Sequence, residues 1–187
     1  MTRPFEISNF RSQIPVSALH ASVLNAFKQM GWAYRKVEED EVIEADFEAH
    51  HTKVSLHVQS FGAAGIMSVV AGASFPVPAT HYLAAAELLM RVNKELTVGN
   101  FELEWDSGQV LFRITNVFPP NRADERIISG LVYSAVAEVD RITPFLGELC
   151  KTPKGELLLL RIPELLGREE LLPPPVEDAE SSSPAKP

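Results

Sequence analysis

Apolar residues recur at spacings of three and four over residues 15–30, where Val16, Leu19, Val23, Phe27 and Met30 form one stripe. This predicts a helix, with Pro15 suited to its first turn and Gly31 to the position just past its end. The period then changes. Residues 33–37, 42–49, 53–60 and 66–75 read as strands separated by polar or glycine breaks, and Val54, Leu56 and Val58 alternate with Ser55, His57 and Gln59. Gly62 and Gly65 mark the turn into the last of these strands. The result is a meander of three or four strands.

Pro76 and Pro78 stop the sheet, and residues 80–96 favour a second helix with Leu83, Ala86, Leu89 and Met90 on its buried side. Phe101, Leu103 and Trp105 alternate with acidic residues, and Val110, Phe112 and Ile114 alternate across the turn Asp106-Ser107-Gly108-Gln109, which signals a hairpin. The expected register sets Phe101 against Ile114, Leu103 against Phe112 and Glu102 against Arg113. Asn121 or Asp124 can cap a third helix. In it Ile128, Val132, Ala135, Val139, Ile142, Leu146 and Leu149 keep heptad-like spacing, long enough to cover a sheet or meet a partner helix. Pro144 should kink this helix or restart it with Thr143 as cap.

The predicted order is α-β-β-β(β)-α-β-β-α, an α+β fold in which helices accompany an antiparallel sheet. Three regions follow: a domain over residues 1–150, a leucine-rich extension over 151–172, and a Pro/Ser/Glu-rich tail over 173–187 expected to be disordered. The chain has 187 residues, enough to bury a proper core. Its net charge of −8, without any run of Lys or Arg longer than two, argues against a nucleic-acid partner. Cys150 is the only cysteine, so neither an intrachain disulfide nor a cysteine-based zinc site can form. No signal peptide is visible and no apolar run approaches the roughly 18 residues of a membrane span, so a cytoplasmic protein is expected.

The helix Leu88-Leu89-Met90-Arg91-Val92-Asn93-Lys94-Glu95-Leu96 runs into Thr97-Val98-Gly99-Asn100-Phe101-Glu102-Leu103. A helix ending in an Asn-containing turn, then "x-V-G-x-F-E-L", then a hairpin, resembles the centre of the YbjN pattern. The stretch Leu131–Arg141 followed by Pro144 is similar too. With the element order, this resembles the YbjN-like families and the class I type III secretion chaperones, over about residues 17–149. The resemblance implies a homodimer that presents sheet and helix surface to a protein or peptide client, with neither catalytic residues nor cofactors. It also makes Asn93 a capping or turn residue, Gly99 a positive-φ residue and Phe101 a core residue. A partner or dimer surface is then expected around the second and third helices, at Leu89, Val92, Val132, Val139, Ile142 and Leu146.

Other constellations are weaker. His50, His51 and His57 with Glu48 would make a partial metal site, but adjacent His50 and His51 point to opposite faces. The acidic run Glu38-Glu39-Asp40-Glu41 lacks calcium-loop spacing and reads as a solvated turn. Glu102 and Glu104 share a strand face as paired catalytic carboxylates would, yet Arg113 makes an ordinary ion pair with Glu102. The glycine-rich turns lack phosphate-binding spacing. Cys150 reads as a packed thiol. The apolar stretch over residues 157–172 should be covered by something: its own domain, a second subunit, or, as a removable cover, the client groove. The expected function is a non-enzymatic protein- or peptide-binding module. The alternatives are a regulatory or assembly factor with one fixed partner, or a small-molecule-binding domain.

Overall fold

The computed structural model describes residues 16–37, 41–119 and 122–172. Pro15, the acidic residues 38–40, Asn121 and the tail from 173 lie outside them, and so do the expectations attached to them.

The first helix, α1 (Ala18–Gln29), begins at Ser17, whose hydroxyl accepts from the His20 N–H at 3.1 Å. Glu41 in turn accepts from the Ser17 N–H and hydroxyl, tying the start of the helix to the sheet. Gly31 follows at φ 68°, the left-handed geometry that ends helices. Leu19, Val23 and Phe27 are buried as expected, but Val16 and Met30 are exposed, because the helix proper starts after one and stops before the other.

Six strands follow in one antiparallel sheet: β1 (Arg35–Val37), β2 (Val42–Glu48), β3 (Lys53–Phe61), β4 (Ile66–Gly72), β5 (Asn100–Leu103) and β6 (Val110–Val117). They lie in the order β1-β2-β3-β4-β6-β5. Between β4 and β5 runs α2 (Tyr82–Glu95), and after β6 comes α3 (Glu125–Lys151). The element order is the expected one, with four strands in the meander.

Three details differ from the sequence reading. The buried face of α2 is Ala85, Leu88, Leu89 and Val92, whereas Leu83 and Met90 are 79% and 68% exposed. This helix carries two apolar stripes, and contact with β5 and α3 selects the other one. The β5–β6 register is shifted by two residues, pairing Phe101 with Phe112 and Glu102 with Leu111. The connection is not a tight turn at Ser107-Gly108. Gly108 is drawn inward, its carbonyl accepting from the Val77 N–H at 2.8 Å, and the loop is correspondingly longer. Finally, α3 continues for 27 residues with Pro144 inside it and does not restart at Thr143. Thr143 is buried and its hydroxyl donates to the Val139 carbonyl at 2.7 Å, so it serves the helix interior and does not cap. Buried side chains on both sides of the proline outweigh the roughly 3 kcal/mol that a mid-helix proline costs. Asp124 is the N-cap, accepting from the Arg126 N–H at 2.8 Å.

The core lies between one sheet face and the helices. Val54, Leu56 and Val58 of β3, Met67, Val69 and Ala71 of β4, and Phe112 and Ile114 of β6 meet α1 and α3 there. Each residue of the α3 seam from Ile128 to Leu149 is at most 1% exposed. A final short helix, α4 (Ile162–Leu166), lies against α2.

Candidate binding face of the sheet

Alternation places every second strand residue on the face opposite the core. Pairing sets Arg35, Glu44, His57, Val70, Arg113 and Asn100 in one line across all six strands. Beside it runs a second line, Asp46, Ser55, Gly72, Leu111 and Glu102. Among the described residues no helix packs on this side, since the helix–sheet contacts gather on the core face. The face is mixed in character: Val70 and Leu111 are half-buried apolar positions among hydroxyls and amides, with ion pairs towards both edges.

Near the β1 edge, Arg35 pairs with Glu44, and His57 Nδ1 lies 3.9 Å from the same carboxylate. Near the β5 edge, Arg113 donates to both oxygens of Glu102, at 2.9 and 3.1 Å. That hydrogen-bonded guanidinium holds the Glu102 carboxyl below the usual carboxylate range and raises Arg113 in return. The pair expected from sequence therefore exists, but it forms diagonally across the shifted register. Glu104 stands apart, joined to the Ser107 hydroxyl of its own loop.

Between the edges the sheet hollows into a groove of about 930 Å³, lined among others by Tyr34, Asp46, His57, Val70, Gly72 and Leu111. Gly72 clears the floor, since a Cβ there would stand 2.9 Å from Ser55 Oγ. Gln109 closes one end, its side-chain amide donating to the Ala73 carbonyl at 2.5 Å. Sequence reasoning placed Gln109 only in the hairpin turn and did not name Gly72. The only available signal was the polar half of the β3 alternation.

The remaining histidines scatter. His51 leaves the β2–β3 hairpin for α3, where buried Asp140 accepts from its backbone N–H at 2.6 Å and lies 3.2 Å from its Nδ1. His50 stacks edge-on against His51, while His57 lies on the open face. Among the described residues no three His, Cys, Asp or Glu side chains converge as metal ligands would. Burial pushes the Cys150 thiol up, away from the reactive thiolate.

The expected partner residues sit elsewhere. Leu89, Val92, Val132, Val139, Ile142 and Leu146 are all within 6% of complete burial in this single chain. They belong to its own core, where the heptad seam meets the sheet. The motif residues fare differently. Asn93 bridges from α2 to β5, accepting from the Phe101 N–H at 2.7 Å and donating to the Phe101 carbonyl at 3.0 Å. Gly99 has φ 75°, and Phe101 is 4% exposed. Because Asn93 takes the outward backbone groups of Phe101, the β5 edge is closed there to strand addition.

No described helix is long and apolar enough to cross a membrane. No curated protein matches the chain. Among solved structures, ExsC in its complex with ExsE is similar at 9% identity and a TM-score of 0.55, covering 71% of this chain and 96% of that one. YbjN from E. coli is similar at 8% identity and a TM-score of 0.50, covering 66% of this chain and 87% of that one. These likenesses show the fold, which is that of YbjN and of ExsC. Residues 20–148 match the model of the YbjN family, described as "putative bacterial sensory transduction regulator", and the chain belongs to that family.

Proposed function

We propose that this chain is a non-enzymatic, cytoplasmic protein-binding module, chaperone-like or regulatory, that takes a segment of a partner polypeptide on the open face of its sheet. The observation that carries this reading is the one-sided architecture: the helices gather on one face and leave a groove with apolar islands between ion-paired edges. An extended segment could seat an apolar side chain against Val70 and Leu111 while its polar groups meet Ser55, Ser68 and Thr115. The likeness in fold to ExsC, seen in complex with ExsE, supports the protein-binding class. We further propose that the working form is a homodimer. Leu83 and Met90 on the outer side of α2, with Trp105 stacked near its start on Tyr82, offer exposed apolar area for a second copy. The chain would then comprise the binding domain over 1–150, the extension 151–172 and the tail 173–187.

A tagged full-length chain recovered from its native cytosol tests the reading, beside a variant carrying Val70→Glu and Leu111→Glu. One or a few proteins that accompany the wild type and are lost from the variant are expected. A wild type recovered alone, or a partner retained undiminished by the variant, would refute sheet-face binding. The groove volume also falls in the range of small-molecule pockets. A metabolite that raises the thermal midpoint without any protein partner would favour that second reading.

A further inference from the structure

The family match ends at residue 148 and α3 ends at Lys151, yet the chain beyond them returns to the helical layer. There α4 packs on α2, and Ile162 and Leu165, three residues apart, are only 2% and 5% exposed. The family domain thus has an apolar flank on α2 whose cover comes from outside that domain. The cover is lightly held. It is a five-residue helix, far too short to be stable alone. Ten residues before it, where α3 ends, His81 Nε2 lies 2.9 Å from the Thr152 carbonyl, and just past its end Arg168 meets Glu148 at 3.3 Å in a solvent-screened pair. The segment also carries more apolar residues than its seat accepts, since Leu158 and Leu159 stand 97% and 79% exposed. Leu160, Leu166 and Leu171 are partly buried against the core, and the two residues seated deepest, Ile162 and Leu165, set an Ile-x-x-Leu spacing.

We propose that the α2 flank is a binding site for a short amphipathic helix with large apolar residues at positions i and i+3, filled in the resting chain by its own α4. Its ligand is a helical segment of a partner protein with that spacing, which must displace the resident one. A tethered occupant competes at an effective concentration on the order of millimolar. The closed site is therefore silent to weak ligands and opens only to a partner that also secures the released segment, for which Leu158 and Leu159 offer exposed footholds. The site lies in the helical layer and is separate from the groove, so it stands or falls independently of sheet-face binding.

The test uses the full-length chain and a full-length I162D/L165D variant, with a fluorescein-labelled peptide of residues 157–172 as probe. By anisotropy, the variant should bind the peptide at least roughly tenfold more tightly than the wild type, whose site is occupied. The same peptide with Asp at both apolar positions should not bind. A variant that keeps its far-ultraviolet spectrum and cooperative unfolding but ignores the peptide overturns the proposal. So does a wild type that binds the peptide equally well, or an Asp-substituted peptide that binds as tightly. A wild-type dimer that becomes monomeric in the variant would also overturn it, since α4 would then be exchanged between two copies. Should the variant not fold, hydrogen exchange on the unaltered chain decides. Amides of 162–166 exchanging at least about tenfold ahead of those of α2 support a seat that opens locally, whereas exchange only by global unfolding refutes it.

Discussion

Replacing Asn93 by alanine isolates the contact between α2 and the edge strand. In β5, Phe101 faces β6 on one side only, so its outward N–H and carbonyl have no strand to pair with. The Asn93 amide acts as a surrogate peptide group, accepting at 2.7 Å and donating at 3.0 Å. Two neutral hydrogen bonds contribute about 0.5–1.5 kcal/mol each, and a half-buried N–H left without a partner adds to the loss. The expected destabilisation is therefore about 2–3 kcal/mol, or roughly 5–10 °C in Tm for a domain of this size. Urea unfolding should show a lower midpoint with an unchanged slope, because neither end state changes in exposed area. Asn93→Asp keeps the acceptor but sets a carboxylate oxygen against the Phe101 carbonyl, so it should lose about as much. Hydrogen exchange supplies the local check, since the Phe101 amide should lose protection in both variants. A loss below about 0.5 kcal/mol with that amide still protected would show that the bridge contributes nothing.

Three other outcomes follow from single groups. Gly99→Ala must hold a side chain at φ 75° with its Cβ 2.4 Å from Phe112 Cζ, so a loss above roughly 2 kcal/mol is expected; a smaller one in urea unfolding would mean that the ring yields freely. His20 is buried beside Ser60, and burial lowers its pKa, with Glu41 opposing and Lys36 assisting. Its folded value lies below the unfolded one of about 6.5, so stability should fall as pH drops through about 6.5 and level off below the folded value. His20→Gln should flatten that part of the wild-type stability curve, and identical slopes between pH 7.5 and 5 would refute the assignment. Asp140→Ala should cost about 2 kcal/mol and speed exchange at the β2–β3 hairpin tip, with Asp140→Asn costing less; an unchanged tip would show that the hairpin holds without α3.

Much of the architecture could be read from side-chain period. The α3 seam from Ile128 to Leu149 and the β3 alternation each have one apolar face, and each lies as its pattern required. Where two faces were both apolar the pattern was silent, and Leu83 and Met90 on α2 show the outcome: a neighbour, not the helix itself, chose the buried stripe. The β5–β6 register failed for a related reason. A tight turn at Ser107-Gly108 was the local optimum, but Val77, about thirty residues earlier, captured Gly108 instead. The open face of the sheet was the least legible feature. Alternation reveals that a strand is half-buried, but only the packing of α1 and α3 determines which side of the whole sheet stays open. Leu89, Val92, Val132, Val139, Ile142 and Leu146 illustrate the converse: strong apolar patterning marks what folds the chain, and it marks recognition only when nothing in the chain covers it.

The two-layer construction divides labour within each strand. In β3, Val54, Leu56 and Val58 hold the core, while Ser55, His57 and Gln59 between them contribute almost nothing to it. Alternate residues of one strand therefore answer to different pressures, one set to stability and the other to whatever the face meets. Such a sheet can change its Ser, His and Gln positions without renegotiating its fold. Proteins that share this fold at single-digit identity can accordingly keep the core side of the sheet apolar while its open side diverges.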